Sequence, residues 1–185
     1  YIMKLLDIRP DFLNEELVRK ICQNKKLKKD YITKYNLVYN GGNGGNNVMN
    51  IAFWDNQLCE RGTTVSLYDY AFYNQKLLGN KSFIFYDKNN KKTNQDIVNK
   101  FKKEFVVHET DDFKEVDDYL LKYNITHIYI IKSGELDSRL SKVAKNCIHC
   151  VFNCHQPHGE VYSSIAPWVN GNDGKYQVVP HMINL

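Results

Sequence analysis

Residues 48–79 constrain the fold of this chain more than any other stretch. They begin with a short apolar run, residues 48–54, of the length expected for a buried strand. A polar loop follows, and Thr63 or Thr64 is predicted to cap the next helix, with a stop signal at Gly79. This order places free backbone N–H groups and the positive end of a helix dipole above a sheet, where a phosphate is the best-suited ligand.

Strand and helix patterns alternate along the rest of the chain. Strands are predicted over residues 81–86, 105–108, 126–131, 147–152 and 176–179, and further helices over residues 94–103, 113–123 and 136–146. Strands separated by helices of this length form right-handed βαβ units. The sequence therefore predicts an α/β fold, a Rossmann-like parallel sheet with helices on both faces.

Residues 1–46 do not share this alternation. Residues 11–22 have the pattern of a short amphipathic helix, and residues 41–47 are a Gly/Asn-rich run. A phosphate-binding glycine loop follows a strand, whereas this run precedes one, so a flexible linker is favoured. We therefore predict a helical N-terminal extension and linker over residues 1–46 and a Rossmann-like domain over residues 47–185.

Composition excludes several function classes. The net charge of +4 over 185 residues is too small to indicate a nucleic-acid partner. No apolar run approaches the length of a membrane span, so no transmembrane segment is predicted. Five cysteines form an odd set without a secretory signal, which favours reduced thiols and a cytoplasmic location.

Candidate site residues come from the loops that follow strands, because ligands of parallel sheets bind at the carboxyl ends of the strands. Six residues of two such loops are singled out: Arg61, Gly62, Thr63, Asn153, His155 and Gln156. An imidazole just past a strand end can donate to a substrate hydroxyl or stabilise developing charge. The alternatives are a plain βα turn for the first loop and a surface histidine in the second.

Known cofactor motifs do not account for these loops. The first loop contains a single glycine where the dinucleotide fingerprint has three, and the sequence has no Gly-Lys-Ser/Thr P-loop. Cys147 and Cys150 have the spacing of metal ligands, with His155 and His158 nearby. Side chains three apart on a strand point to opposite faces, so these cysteines are not predicted to share a zinc ion.

Several segments resemble the N-terminal domain of GT-B glycosyltransferases, particularly the retaining family-four group. They are the opening strand at residues 50–54, the glycine-containing loop and long helix after it, and a strand that leads to His155. The closing residues 178–185 are similar to the Val-Pro-His-Gly segment that joins the family's two domains, although Met182 replaces its glycine. The resemblance covers residues 48–185, and the family's usual pair of loop glycines is reduced here to Gly62.

The resemblance implies a hexosyltransferase. It would transfer a hexose from a nucleoside-diphosphate sugar to a hydroxyl of a glycan, protein or lipid acceptor, with retention and without a metal or other cofactor. Gly62 and Thr63 match the loop that approaches the donor diphosphate, His155 matches the histidine that reaches the transferred sugar, and residues 163–170 match a short strand ending in Ser.

The resemblance also implies that the family's donor-binding C-terminal domain is missing from residues 1–185. The chain alone is therefore expected to be inactive as a transferase. The alternative is a non-catalytic α/β binding or interaction module, in which residues 1–46 supply a docking helix.

Overall fold

The structure is a computed structural model, and it describes residues 48–171 and 174–181. The predicted helix at residues 11–22, the linker and the domain boundary near Asn46 lie outside these residues. The last four residues of the closing segment, 182–185, lie outside them too.

The described chain forms seven strands, three α-helices and one short 3-10 helix. In chain order the elements are β1 (Asn50–Asp55), α1 (Gly62–Leu78), β2 (Lys81–Asp87), α2 (Gln95–Glu104), β3 (Val106–Thr110), α3 (Lys114–Lys122), β4 (Ile125–Lys132), β5 (Lys145–Cys150), β6 (Val161–Ser164), the 3-10 helix (Pro167–Asn170) and β7 (Gln177–Val178).

All seven described strands belong to one parallel sheet, in the order β3-β2-β1-β4-β5-β6-β7. This confirms the prediction of an α/β fold with a parallel sheet. The strand order reverses between β1 and β4. From β1 the chain proceeds to β2 and β3 on one side of the sheet, and β4 to β7 are added on the other side, beginning next to β1. In doubly wound sheets, ligands bind outside the carboxyl ends of the strands at such a reversal.

Helices cover both faces of the sheet, as predicted. Ile51 and Phe53 point from β1 into a core with Leu67 and Tyr70 of α1 and with Val98 of α2. The alternate residues of β1 point into a second core, where Ala52 and Trp54 lie with Val116 and Leu120 of α3. Burial on both faces explains why the strands read as nearly continuous apolar runs.

The first helix ends as predicted but begins differently. Gly79 closes α1 in the left-handed conformation, with φ of 72°. At the other end the N-cap residue is Arg61, and its side chain makes no capping hydrogen bond. The prediction that Thr63 or Thr64 caps the helix was wrong, because Thr64 lies inside the helix and its hydroxyl donates instead to Asp55.

Two strands differ from their predicted bounds by two residues at one end or both. β1 begins at Asn50 rather than residue 48, and β5 ends at Cys150 rather than residue 152. Phe152 therefore lies in the loop after β5 rather than in the sheet. β6 occupies the region where the resemblance implies a short strand, and it ends at Ser164.

The helix predicted over residues 136–146 is not formed, because residues 136–144 are a loop and residues 145 and 146 begin β5. Polar side chains bond the backbone locally in place of a helix ladder. The Ser141 hydroxyl accepts from the amides of Val143 and Ala144, and Asn146 pairs with both backbone groups of Ser141. Leu140 and Ala144 still pack on the core. Their spacing of four residues matches that of a helix, which explains why the sequence predicted one.

The loops after β4 and β5 pack closely at Gly134. Its φ of +120° disfavours any residue with a side chain, and an added Cβ would lie 1.7 Å from the backbone oxygen of Asn153. The amides of Phe152 and Asn153 both donate to the carbonyl of Ser133. These two loops therefore form one unit at the carboxyl edge of the sheet.

We predict that Gly134→Ala lowers the free energy of unfolding by about 3 kcal/mol, because the new Cβ forces the Asn153 backbone to move and strains the glycine position. Gly171→Ala is the matched control, since Gly171 also has positive φ but open space around its Cβ position. The control should cost about 1 kcal/mol. Urea denaturation measures both, and equal losses would contradict the proposed loop contact.

Candidate functional site

The predicted site residues lie on the carboxyl edge of the sheet, in two groups. Arg61, Gly62 and Thr63 join β1 to α1, and the other three predicted residues lie in the loop after β5. β4 runs between β1 and β5, and the loop after β4 contacts the β5 group. The candidate site is therefore the edge formed by the ends of β1, β4 and β5.

A buried carboxylate organises the first group. Asp55, at the end of β1, is 2% exposed and forms an ion pair with the Arg61 guanidinium. The same guanidinium nitrogen also donates to the side chain of Asn56 at 2.6 Å and to the carbonyl of Gln57 at 3.3 Å. The hydroxyl of Thr64 donates to the second Asp55 oxygen at 3.1 Å. Arg61 therefore holds the turn between β1 and α1.

Burial is the largest influence on the Asp55 carboxyl and raises its pKa to about 6. The Arg61 charge, the Thr64 hydroxyl and the backbone amides of Asn56 and Gln57 oppose this increase. The carboxylate is therefore ionised at neutral pH and retains its ion pair with Arg61. Arg61 was predicted to bind a ligand, but its side chain is paired with Asp55 instead. The signal for this pair in the sequence is an aspartate directly after an apolar strand pattern.

The N-terminus of α1 opens beside this turn. Gly62 is exposed, and a Cβ added to it would meet no atom within 4 Å. The first hydrogen bond of the helix runs from the Val65 amide to the Arg61 carbonyl, so the amides of the preceding first turn have no partner within the helix. The Thr63 hydroxyl oxygen is buried and has no hydrogen-bond partner among the described residues.

The second group contains an exposed imidazole and two amide side chains that shape the loop. His155 is exposed. The Asn153 side-chain oxygen accepts from the His155 amide at 3.3 Å, and the Gln156 side-chain oxygen accepts from the Leu136 amide at 2.7 Å. Asn153 and Gln156 thus fix the loop that presents His155, a structural role that their prediction as substrate-binding residues did not include.

Between the two groups lies a buried lysine whose arrangement the sequence did not reveal. The Lys132 ammonium contacts Asp137 at 2.5 Å, the Arg139 carbonyl at 3.3 Å and His158 Nε2 at 3.1 Å. His158 Nδ1 lies 2.6 Å from the Gln156 carbonyl and so carries the proton, which leaves Nε2 to accept from Lys132. Burial lowers the pKa of Lys132, and its contact with Asp137 opposes that effect.

A second buried network fixes the segment that follows β7. The Tyr129 hydroxyl donates to His149 Nδ1 at 2.7 Å, and His149 Nε2 donates to the Val179 carbonyl at 2.7 Å. The Tyr70 hydroxyl donates to the Pro180 carbonyl at 2.7 Å. Burial lowers the pKa of His149 to about 3, so this imidazole is neutral and structural.

The geometry also answers the zinc question raised by the cysteine spacing. Cys147 packs in the core beneath α1, and Cys150 packs in the core on the opposite face. The expectation that these side chains point to opposite faces is confirmed, so they do not share an ion. Within residues 48–171 and 174–181, no group of three His, Cys, Asp or Glu side chains is arranged to hold a metal.

The strand order, the helices on both faces and the candidate site at the reversal define a doubly wound, Rossmann-like α/β protein. No protein-family model matches the chain, and no curated protein matches it significantly. None of the helices in the described part of the chain has the length and apolar character needed to cross a membrane.

We predict that Asp55→Asn changes how stability depends on pH. The folded protein raises the carboxyl pKa from 3.8 to about 6, so it binds this proton more tightly than the unfolded chain does. The stability of the wild type relative to the variant is then highest below pH 3.8, and it falls by up to about 3 kcal/mol as pH rises through 6.

Urea denaturation of both proteins between about pH 4 and about pH 7 measures this difference. Asp111→Asn is the control, because the hydrogen bond from Lys88 lowers the pKa of Asp111. Because the lowered pKa of Asp111 keeps its titration below the unfolded value of 3.8, the relative stability of the wild type against that variant should not fall between about pH 4 and about pH 7. A difference for Asp55 that does not vary with pH would refute the assignment.

Proposed function

We propose that residues 47–185 form the N-terminal, acceptor-side domain of a retaining GT-B glycosyltransferase. The reaction would transfer a hexose from a nucleoside-diphosphate sugar to a hydroxyl group of an acceptor in the cytoplasm. The main observation in support is the shared position of two features. The open N-terminus of α1 and the exposed His155 lie on the same edge of the sheet, on either side of the strand-order reversal.

The spacing of the strands is compatible with a nucleotide-sugar donor. Neighbouring strands lie about 4.8 Å apart, so the ends of β1 and β5 are separated by roughly 10 Å. A diphosphate and the hexose attached to it can span this distance. The diphosphate would lie at the amides of Gly62 and Thr63, and the hexose would extend over the end of β4 toward His155.

Each part of the site would have a distinct role. The first-turn amides of α1 and the helix dipole would stabilise negative charge on the leaving diphosphate. Arg61 would act indirectly, because its contacts with Asp55 and Gln57 fix the turn that presents those amides. His155 would donate a hydrogen bond to the hexose. The proposal assigns no metal or other cofactor, and it places the remaining donor contacts on a second domain of the same polypeptide.

A non-catalytic α/β binding or interaction module is the second candidate. The contacts of Arg61 favour this second candidate. Arg61 directly precedes the proposed diphosphate site at Gly62 in the sequence, but its charge is already paired with Asp55 and its side chain also donates to Asn56. In that case the edge would bind a ligand or partner without turnover. The two candidates differ in whether a nucleoside diphosphate contacts the start of α1.

We predict that Gly62→Pro weakens the binding of uridine and guanosine diphosphates and their hexose conjugates by about 10-fold. Proline removes one N–H group, and a hydrogen bond to a charged ligand contributes roughly 1.5–3 kcal/mol. The helix should persist, because proline is tolerated at the first helical position and Arg61 before it is extended, with φ of −142° and ψ of 156°.

Gly62→Ala is the matched control, since it keeps the N–H group and adds a Cβ where nothing lies within 4 Å. Amide chemical shifts of Gly62 and Thr63, followed by NMR during titration of the 185-residue chain, report the contact directly. Equal nucleotide affinities of the Gly62→Pro and Gly62→Ala variants would show that the diphosphate does not bind at this site. The absence of binding both by this chain and by a longer form that contains a donor-binding domain would favour the interaction module.

We predict that His155→Ala lowers kcat by about 100-fold in a longer form of the protein that contains a donor-binding domain, because a positioned donor is lost from the reacting sugar. Nucleotide binding should remain, since the side chain of His155 lies on the loop after β5 rather than at α1. Undiminished turnover would rule out this role for His155.

A further inference from the structure

The two most exposed large apolar side chains in the described chain are both aromatic, and both lie on the carboxyl edge. Phe152, in the loop after β5, is 78% exposed, and Trp168, in the 3-10 helix after β6, is 74% exposed. β5 and β6 are bonded neighbours, with Cys150 opposite Ser164. The rings therefore follow adjacent strand ends by two and four residues.

The chain segments that carry these two rings contain no charged side chains. Residues 146–159 and 161–172 contain no Asp, Glu, Lys or Arg, in a chain of which 25% of residues are charged. The intervening Glu160 is engaged at the amino end of β5, where its carboxylate accepts from the Asn146 amide at 2.5 Å. Beyond the ends of β1 and β4, by contrast, lie two sets of ion-paired side chains: Asp55 and Arg61, and Lys132, Asp137 and Arg139.

We call the uncharged part the aromatic strip and define it as Phe152, Asn153, His155, Gln156 and Trp168. Two exposed aromatic rings lie here with the exposed imidazole of His155 and with the amide side chains of Asn153 and Gln156, which accept hydrogen bonds from backbone amides. A charged ligand finds no counter-charge in the strip. A lipid chain would require continuous apolar surface, whereas three of the five residues are polar.

A neutral saccharide matches both properties of the strip. One face of a pyranose ring presents C–H groups that stack on an aromatic ring, while its edge presents hydroxyls that form hydrogen bonds. We propose that the aromatic strip binds a neutral saccharide through stacking on Phe152 and Trp168. This inference deepens the proposed function, because it identifies the acceptor as a neutral glycan rather than a charged polymer, a lipid or a protein side chain.

Trp168 provides a direct readout of this binding. The chain contains two tryptophans, and the other, Trp54, is only 3% exposed. Acrylamide should therefore quench the fluorescence of Trp168 selectively. Neutral hexasaccharides of glucose, mannose and N-acetylglucosamine are the probes, and sulfated dextran is the charged comparison. We expect at least one neutral probe to lower the quenching constant about 2-fold or more, and the charged polymer to leave it unchanged.

Phe152→Ala should weaken the binding of that saccharide by about 5-fold, because it removes one stacking ring. Trp168, the fluorescent residue, remains in this variant. Leu121→Ala is the matched control, since Leu121 is 62% exposed on α3, which leads to the amino end of β4. The control should not change the affinity. Trp168→Phe should abolish the quenchable signal and confirm its source.

The inference would be overturned if no neutral probe lowered the quenching of Trp168, or if Phe152→Ala and Leu121→Ala weakened saccharide binding equally. It would also be overturned if quenching fell with increasing protein concentration in the absence of saccharide, because that result indicates self-association. The nucleotide titration of the Gly62 variants separates this failure from failure of the proposed function. If saccharide protects Trp168 but no nucleotide contacts Gly62, the aromatic strip is supported and the proposed donor site is not. If a nucleotide contacts Gly62 but no saccharide protects Trp168, only the donor site is supported.

Discussion

The ion pair between the buried Asp55 and Arg61 holds the turn between β1 and α1, on which one side of the candidate site depends. A carboxylate at the end of a central strand is taken out of water, and it is compensated by a guanidinium, a hydroxyl and backbone amides. Removing one partner of such a buried pair leaves the other uncompensated. These contacts therefore hold the turn in an arrangement that leaves the first amides of α1 without partners within the helix.

Much of the fold was accessible from the sequence because the strands are buried on both faces. Residues 81–86 and 126–131 are apolar runs of strand length, and the corresponding strands β2 and β4 differ from the predictions by only one residue at an end. The region between β4 and β5 was not accessible. Leu140 and Ala144 have helical spacing, but Asp137, Ser141 and Asn146 engage the chain locally, and such competition depends on contacts that periodicity does not record.

The candidate site was predictable in position but not in role. The rule that ligands bind at carboxyl strand ends located both loops. It could not show that Arg61, Asn153 and Gln156 have partners within their own loops, because those contacts depend on local backbone geometry. Lys132 was visible only as a residue after a strand. Its contact with His158 joins loops that are 26 residues apart in sequence.

The two layers that cover the sheet differ in construction. α1 and α2 cover one face with regular helices, whereas part of the other face, between β4 and β5, is covered by an extended loop held by side-chain contacts. Local opening needs less free energy where fewer backbone groups are paired in regular structure. Amide hydrogen exchange should therefore be slower in α1 than in residues 133–144. The stability of the helical face therefore rests on backbone hydrogen bonds within α1 and α2, whereas the cover between β4 and β5 rests on single side-chain contacts such as those of Ser141 and Asn146.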